Sequence, residues 1–246
     1  MAYQPRSYRG WVERGDLVSF SVTVKETDLL VRARSDLSPQ AVETVNECRS
    51  ALEGYIKEHP QFLYTLEPLR VADDAPALVK EMALAAEESG VGPMAAVAGA
   101  IAEAVGRRLL ELSDEVIVEN GGDIFISSQC RRRIALYAGE SPLSGRVAFE
   151  VQPEQTPLGV CTSSGTVGHS LSFGLADAVV CFSPSTALAD AAATAIANRV
   201  LSTEDIHKAI EFAQGIPRLS GVAIIKGDAL GLWGKLTIAS VDGITG

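Results

Sequence analysis

Two oxygen-bearing side chains in an alanine-rich segment have the types and spacing of a cation site. Asp190 and Thr194 stand four residues apart in residues 186–200, a predicted helix, so both side chains point to the same side of it. A carboxylate and a hydroxyl are hard oxygen ligands of the kind that magnesium takes, with water or phosphate completing the shell. The structural alternative is that Asp190 helps the helix to begin electrostatically and that Thr194 belongs to the core.

A glycine pair between two β-type runs marks a second candidate region. Residues 116–126 read V-I-V-E-N-G-G-D-I-F-I, which places Asn120, Gly121, Gly122 and Asp123 between strand-like pieces. Glycine adopts positive φ and lets another group approach the backbone closely. Asn-Gly is also a strong turn signal, so the plain interpretation is a hairpin or a bulge. The sharper interpretation is a glycine-floored pocket with the Asp123 carboxylate at its rim.

A third candidate is the run of hydroxyls and glycines over residues 162–170, which is predicted to be a loop. It contains Thr162, Ser163, Ser164, Gly165 and His169. Such a loop can present several N–H donors to an anion. It is not a P-loop, because the glycine spacing is wrong and no lysine follows. An ordinary surface loop is the alternative, and His169 alone is weak evidence for a base.

The elements that must position these residues alternate between strands and helices in both halves of the chain. Alternation over residues 17–24 and 29–33 predicts antiparallel strands, and residues 62–66 and 158–161 are predicted as shorter ones. Helices are predicted from Ser38, from Asp73 or Asp74 to Gly90, and over residues 94–112. The last of these is rich in alanine and glycine, which permits either tight helix-on-sheet contact or the close approach of a flat ligand.

Composition excludes several classes of protein. The 246 residues carry a net charge of −10, which argues against a nucleic-acid binder. The single basic cluster, residues 131–133, is predicted to be a solvated turn between strands, with a phosphate contact as the alternative. No apolar run reaches the length of about 18 residues that a membrane helix needs, and the N-terminus lacks an apolar signal region. Both absences predict a cytoplasmic protein.

Cysteine usage does not predict a metal site. None of the four cysteines forms a C-x-x-C pair, so a structural zinc site is not expected. Cys48 and Cys181 lie among apolar neighbours and are predicted core residues. Cys161 precedes the hydroxyl run and is the cysteine to watch for reactivity, although nothing nearby in sequence would lower its pKa.

Three segments together resemble the ApbE flavin transferases. Residues 118–126 are similar to the N-x-G-G-D-I motif of that family, residues 162–165 to its T-S-G loop, and residues 189–195 to its A-D-x-x-x-T-A helix. The order along the chain is the same, and the resemblance covers residues 17–236. It is strongest to an uncharacterised cytoplasmic branch of the superfamily.

The resemblance implies an α+β fold of two T-fold-like repeats, in which antiparallel sheet packs against helices and a ligand cleft lies between the halves. The whole chain, 1–246, is then one domain with pseudo-repeats at about 9–112 and 113–242. The cleft would hold FAD. Asp190 and Thr194 would bind Mg²⁺, and cofactor contacts would come from the two other motifs: Asn120, Gly121, Gly122, Asp123, Thr162, Ser163, Ser164, Gly165 and His169.

Two departures from the family separate the functional hypotheses. The small-residue helix reads Ala96-Val97-Ala98-Gly99 where the family has a lysine in G-x-A-K-G, and the H-I-x-D-P-x-T-G segment is reduced to residues 168–174. The first hypothesis is an Mg²⁺-dependent enzyme that moves the FMN half of FAD to a protein acceptor. The second is a module that binds a nucleotide or another small molecule without chemistry. Neither involves a nucleic acid or a membrane.

Overall fold

The structure is a computed structural model that describes residues 17–165 and 173–239. The helices are Ser38–Glu58 (α1), Gln61–Tyr64 (α2), Ala77–Ser89 (α3), Val97–Leu109 (α4), Thr186–Ala197 (α5) and Ile206–Gln214 (α6). The strands are Val18–Val24 (β1), Thr27–Ala33 (β2), Val116–Asn120 (β3), Asp123–Ser127 (β4), Arg132–Ala135 (β5), Ala148–Val151 (β6), Leu158–Ser163 (β7), Ala178–Ser183 (β8), Gly221–Lys226 (β9), Ala229–Gly234 (β10) and Thr237–Ala239 (β11).

The described strands form a main sheet and a small sheet. The main sheet has eight strands in the order β1-β2-β3-β4-β7-β8-β9-β10, and the small sheet has three in the order β11-β6-β5. Every pairing between neighbours is antiparallel. The predicted combination of helices with antiparallel sheet is therefore confirmed. The division into two T-fold-like repeats with a cleft between them stays a prediction.

Alternation along each strand gives the main sheet two apolar faces. One face packs against helices, as shown by Val118 and Phe125 in the larger core cluster. The opposite face packs against the small sheet, with Ile117 and Ile126 in a second cluster. Successive side chains of a strand point to opposite faces, so adjacent residues enter different cores. Which face a polar residue occupies therefore decides which core it enters.

The small-sheet side also contains a buried ion-pair network. Glu115 is fully buried and accepts hydrogen bonds from Arg132, at 2.7 Å, and from Arg34 and Ser128. Burial acts to raise the pKa of Glu115, but the bonds from Ser128 and Arg132 and the two arginine charges bring it below its usual value. The prediction that residues 131–133 form a solvated turn is wrong, since Arg132 begins β5 and neutralises a buried carboxylate.

Several predicted element boundaries are also wrong. Residues 62–66 were expected as a strand, but α2 occupies Gln61–Tyr64 and buries Phe62. A short apolar run does not distinguish a helical turn from a strand by periodicity alone. The second helix begins at Ala77, after the predicted Asp73 or Asp74, and ends as expected at Gly90, whose φ of 72° is left-handed.

The described helices give no single candidate for a membrane span. Only the pair Ala77–Ser89 and Pro93–Leu109, bent by 106° between its parts, meets the criteria of length and composition when joined.

Candidate functional site

The glycine pair forms a hairpin turn, which confirms the plain interpretation of this stretch. Asn120 and Asp123 pair across the turn between β3 and β4, and Gly121 and Gly122 have φ values of 69° and 108°. Positive φ at both central positions is what a two-residue hairpin requires, and glycine adopts it without steric cost. The sharper interpretation is wrong in one respect, because Asp123 is buried and does not lie at a rim.

Asp123 is buried because it faces the helices. It shares this face of β4 with Phe125, a member of the helix-side core. Cys161 and the backbone amide of Thr162 provide hydrogen bonds to the carboxylate. Its Oδ1 atom is buried and has no hydrogen-bond partner among the described residues. An unpartnered buried carboxylate oxygen is costly, so this position favours either a proton or a cation.

Asp123 and Asp190 form a carboxylate pair. Burial, and next the negative charge of Asp190, raise the pKa of Asp123 well above its usual value. Burial also raises the pKa of Asp190 to about 7, although the amides of Gly99 and Ala98 favour its ionised form. Two carboxylates that influence each other in a shared low-dielectric site resist simultaneous ionisation. A bound cation would relieve this repulsion.

The first turn of α4 joins the hairpin to α5. The Gly99 amide donates a hydrogen bond of 2.8 Å to Oδ2 of Asp190. The side-chain amide of Asn120 donates one of 3.0 Å to the carbonyl of Ala98. Asn120 and Asp190, which are far apart in sequence, therefore converge on two consecutive residues. This helix start is the centre of the candidate site.

Close approach between α4 and α5 requires glycine at position 99. A Cβ atom there would lie 2.8 Å from the Cβ of Asp190 and closer still to the carbonyl oxygen of Thr186. The small residues of this helix therefore serve tight contact between helices at this point. The first alternative predicted from the sequence is tight packing of this helix on a sheet. At Gly99 the close neighbour is instead another helix, whereas Gly106 does approach a strand, at Phe125.

Glu103 is a site residue that the sequence analysis missed. It is buried, and its Oε2 atom accepts a hydrogen bond of 2.6 Å from the backbone amide of Thr186, the first residue of α5. The other oxygen, Oε1, is held by Arg107 at 2.6 Å. One feature of the sequence could have indicated Glu103: it is a carboxylate between Ala102 and Ala104, on a helix that is otherwise apolar up to Arg107.

The hydroxyl run is only partly a loop. Thr162 and Ser163 are the last residues of β7. Of the residues in this run that the structure describes, only Ser164 and Gly165 lie beyond the strand. The loop prediction is wrong for the first two residues because β8 continues to pair with them, through Val180 and Val179. Alternation along β7 places Ser163 on the helix face and Thr162 on the opposite face. His169 lies outside the described residues.

Two hydroxyls on the elements that carry the candidate residues are buried without a hydrogen-bond partner in the part of the chain that the structure describes. They are Oγ of Ser163 and Oγ1 of Thr186. Ser163 ends β7 and Thr186 begins α5. Buried polar atoms without partners are uncommon in native proteins, and a bound ion or water is one explanation.

The donor set fits a hard cation if phosphate or water completes the coordination shell. Asp190 and Thr194 are both half-buried and lie one turn apart on α5. The described residues contain no group of three or more His, Cys, Asp or Glu side chains that could hold a metal ion by themselves. Magnesium is typically held by one or two carboxylates together with substrate phosphates.

Cys161 is not placed for nucleophilic chemistry. Its side chain is fully buried and its sulfur lies 3.4 Å from the carbonyl oxygen of Thr186. Burial, followed by the charges of Asp123 and Asp190, raises the pKa of the thiol well above its usual value. A thiol that stays protonated is a poor nucleophile.

Comparison with known proteins identifies relatives over most of the chain. A family model described as AbpE bacteria matches residues 9–230. The UPF0280 protein of Methanococcus vannielii is 44% identical over 227 residues, which cover 90% of this chain and 92% of the relative.

Solved structures share the fold at low sequence identity. The apo form of the Pseudomonas stutzeri flavinyl transferase ApbE matches with a TM-score of 0.58 at 15% identity, covering 91% of this chain and 95% of the other. The ApbE protein of Thermotoga maritima matches with a TM-score of 0.60 at 11% identity, covering 87% and 96%.

Proposed function

The chain belongs to the family described as AbpE bacteria, and on that premise we propose that it binds a flavin nucleotide, FAD, where the hairpin turn, the start of α4 and α5 meet. The names of the structural neighbours support the ligand class, since one is a flavinyl transferase. The observation that carries the proposal is the pair formed by the buried Asp123 and the half-buried Asp190, beside a glycine turn and a helix start. Such a site favours a cation and, with it, an anionic group of the ligand.

Magnesium fits this proposal as a partner of the nucleotide. Asp190 and Thr194 would hold the ion, and the ligand's phosphates would supply further oxygen atoms. When bound, the ion would neutralise charge on the pyrophosphate. The chain's own residues contribute the rest: Asn120 and the Gly99 amide fix the first turn of α4 and the orientation of the Asp190 carboxylate.

The reaction that we propose is transfer of FMN from FAD to a Ser or Thr hydroxyl of a protein acceptor. The hydroxyl oxygen would form a bond to the phosphorus of the FMN half and give up its proton to solvent, while the bond from that phosphorus to the bridging oxygen breaks and AMP leaves with that oxygen. Such a transfer depends on positioning and charge neutralisation more than on a covalent role for the protein. In this proposal FAD is the substrate, a protein is the acceptor and the reaction takes place in the cytoplasm.

The experiment measures FAD binding and AMP release with and without Mg²⁺. We expect wild-type protein to bind FAD in a Mg²⁺-dependent manner and to release AMP when an acceptor is supplied. Asp190→Ala is expected to lower the Mg²⁺-dependent part of FAD binding, and of AMP release, at least tenfold. Asp74→Ala, at an exposed position, is the matched control. If the wild type binds no flavin nucleotide, the proposal is wrong.

The second candidate function is binding without chemistry. The observation that favours it is that residues 96–99 lack the lysine that the family carries there. Two of these residues, Ala98 and Gly99, lie in the first turn of α4, which contacts Asp190. A protein of this kind would bind FAD or another nucleotide equally well with and without Mg²⁺, and would release no AMP. The same measurements of FAD binding and AMP release therefore distinguish the two functions.

A further inference from the structure

Helices α4 and α5 cap each other. In one direction, Asp190 of α5 accepts the Gly99 amide in the first turn of α4, at 2.8 Å. In the other direction, Glu103 of α4 accepts the Thr186 amide at the first residue of α5, at 2.6 Å. The first amides of a helix have no partner within it, so each helix obtains one from the other.

The sequence spacing is the same on both helices. Gly99 and Glu103 are four residues apart on α4, and Thr186 and Asp190 are four residues apart on α5. Residues at this spacing lie on one face of a helix, one turn apart. Each helix therefore presents an amide and a carboxylate on the same face. The start of each helix lies beside the second turn of the other. A negative side chain near a helix N-terminus is also favoured by the helix dipole.

The two carboxylates differ in what else they contact. Glu103 is neutralised by Arg107, one turn along its own helix, at 2.6 Å. Asp190 has no ion pair with a described residue, and its nearest ionisable neighbours include the buried Asp123. Both carboxylate oxygens of Glu103 are therefore bonded to protein groups, whereas Asp190 has no cationic partner among the described residues and can bind a cation.

We propose that Glu103 is a positioning residue for the cation site. By holding the first amide of α5, it fixes the helix one turn before Asp190 and keeps that carboxylate against the Gly99 amide. The inference rests on the proposed function, in which Asp190 binds a divalent cation. It adds a residue that contacts neither the cation nor the flavin and acts through Asp190.

Ser185 provides a control within the same helix. Its hydroxyl oxygen accepts the Leu188 amide at 3.3 Å, a hydrogen bond within the start of α5 itself. Removing this cap weakens the helix start, as does removing Glu103. Only the loss of Glu103, however, removes one of the two hydrogen bonds that join the helix starts. The pair of substitutions separates helix stability from the position of Asp190.

The test measures Mn²⁺ binding by electron paramagnetic resonance, with and without FAD, together with thermal unfolding. We expect Glu103→Ala to weaken Mn²⁺ binding about tenfold, which corresponds to about 1.4 kcal/mol. Glu103→Gln keeps an oxygen that accepts the Thr186 amide and is expected to restore most of the affinity. Ser185→Ala is expected to lower Tm by about 2–4 °C and to bind Mn²⁺ as the wild type does.

The outcomes distinguish the two proposals. If Asp190→Ala loses Mn²⁺ binding but Glu103→Ala retains wild-type affinity, the positioning role is wrong and the cation site stands. If the wild type binds no Mn²⁺ under either condition, the proposed function fails together with this inference. Should Glu103→Ala not fold, Glu103→Asp, which is one methylene shorter, takes its place, and wild-type affinity in that variant would overturn the inference.

Discussion

At the scale of single residues, the site is defined by which carboxylates are buried and what neutralises them. Glu115 is surrounded by arginines, and Glu103 is paired with Arg107. Asp123 and Asp190 instead face each other's charge in a buried setting. This contrast separates carboxylates that stabilise the fold from a pair that is available for proton or cation binding.

Asp123→Asn is expected to change how stability depends on pH. The pKa of Asp123 is raised in the folded protein, so stability is greatest below the unfolded value of about 3.9 and is lost as pH rises toward the folded pKa. Asparagine does not ionise. The variant should therefore become more stable relative to wild type as pH rises, by up to about 1.4 kcal/mol per pH unit within that window.

Denaturant unfolding of both proteins from pH 4 to pH 8, in the presence of a chelator, measures this difference. Contributions from carboxylates other than Asp190 largely cancel in the comparison, and the difference reports the titration of the Asp123–Asp190 pair. Parallel stability curves for wild type and variant would show that Asp123 ionises normally in the folded state.

Sequence reasoning identified Asn120, Asp123 and Asp190 but not Glu103. The first three lie in patterns that are unusual in themselves: a glycine turn and a carboxylate among alanines. The role of Glu103 depends on a helix that begins 83 residues later in the chain. No local pattern contains that information. The burial of Asp123 was missed for a related reason, because its face of β4 is set by the sheet's partners.

At the scale of elements, the contact between α4 and α5 depends on one missing side chain. Gly99 lets the two helix starts approach closely enough for both capping bonds to form. A similar close approach occurs at Gly159, where a Cβ atom would lie 2.5 Å from Cα of Thr186. The start of α5 is therefore held between a strand and a helix by two glycines.

Gly99→Ala is expected to destabilise the protein by about 2 kcal/mol, because the added methyl group overlaps atoms of α5. It should also weaken Mg²⁺ binding. The control is Gly54→Ala in α1, where the added methyl group would meet no atom within 4 Å. That variant is expected to gain about 0.5–1 kcal/mol from reduced chain entropy. Denaturant unfolding of both variants provides the measurement, and equal effects would contradict the explanation.

At the scale of the whole molecule, the main sheet lies between a helical layer and the small sheet. The three strands of the small sheet come from residues 132–135, 148–151 and 237–239. Phe149 from this sheet contacts Phe182 of β8 edge to face, with ring centroids 5.1 Å apart. β-type runs at residues 134–138, 147–151 and 232–239 predict strands in these regions, but they do not predict a separate sheet, since pairing between distant segments leaves no local pattern.

Phe149→Ala is expected to cost about 3–5 kcal/mol, because it removes a buried aromatic ring between the two sheets. Hydrogen exchange should show the loss of protection first in β6 and β11, with the interior strands of the main sheet protected for longer. FAD and Mg²⁺ binding should remain, since the site lies on the opposite face. An equal loss of protection in β8 and β9 would show that the layers unfold as one unit.

The two hydrogen bonds between the starts of α4 and α5 also connect Asp190 to a second helix. Any movement of the Asp190 carboxylate away from Gly99 would leave an amide at the start of the neighbouring helix without its partner. The adjacent carbonyl, that of Ala98, is held by the hairpin residue Asn120. A small displacement at one carboxylate is therefore transmitted to a second helix and a turn. We therefore expect substitutions at Asp190 to alter the environment of both the start of α4 and the hairpin turn.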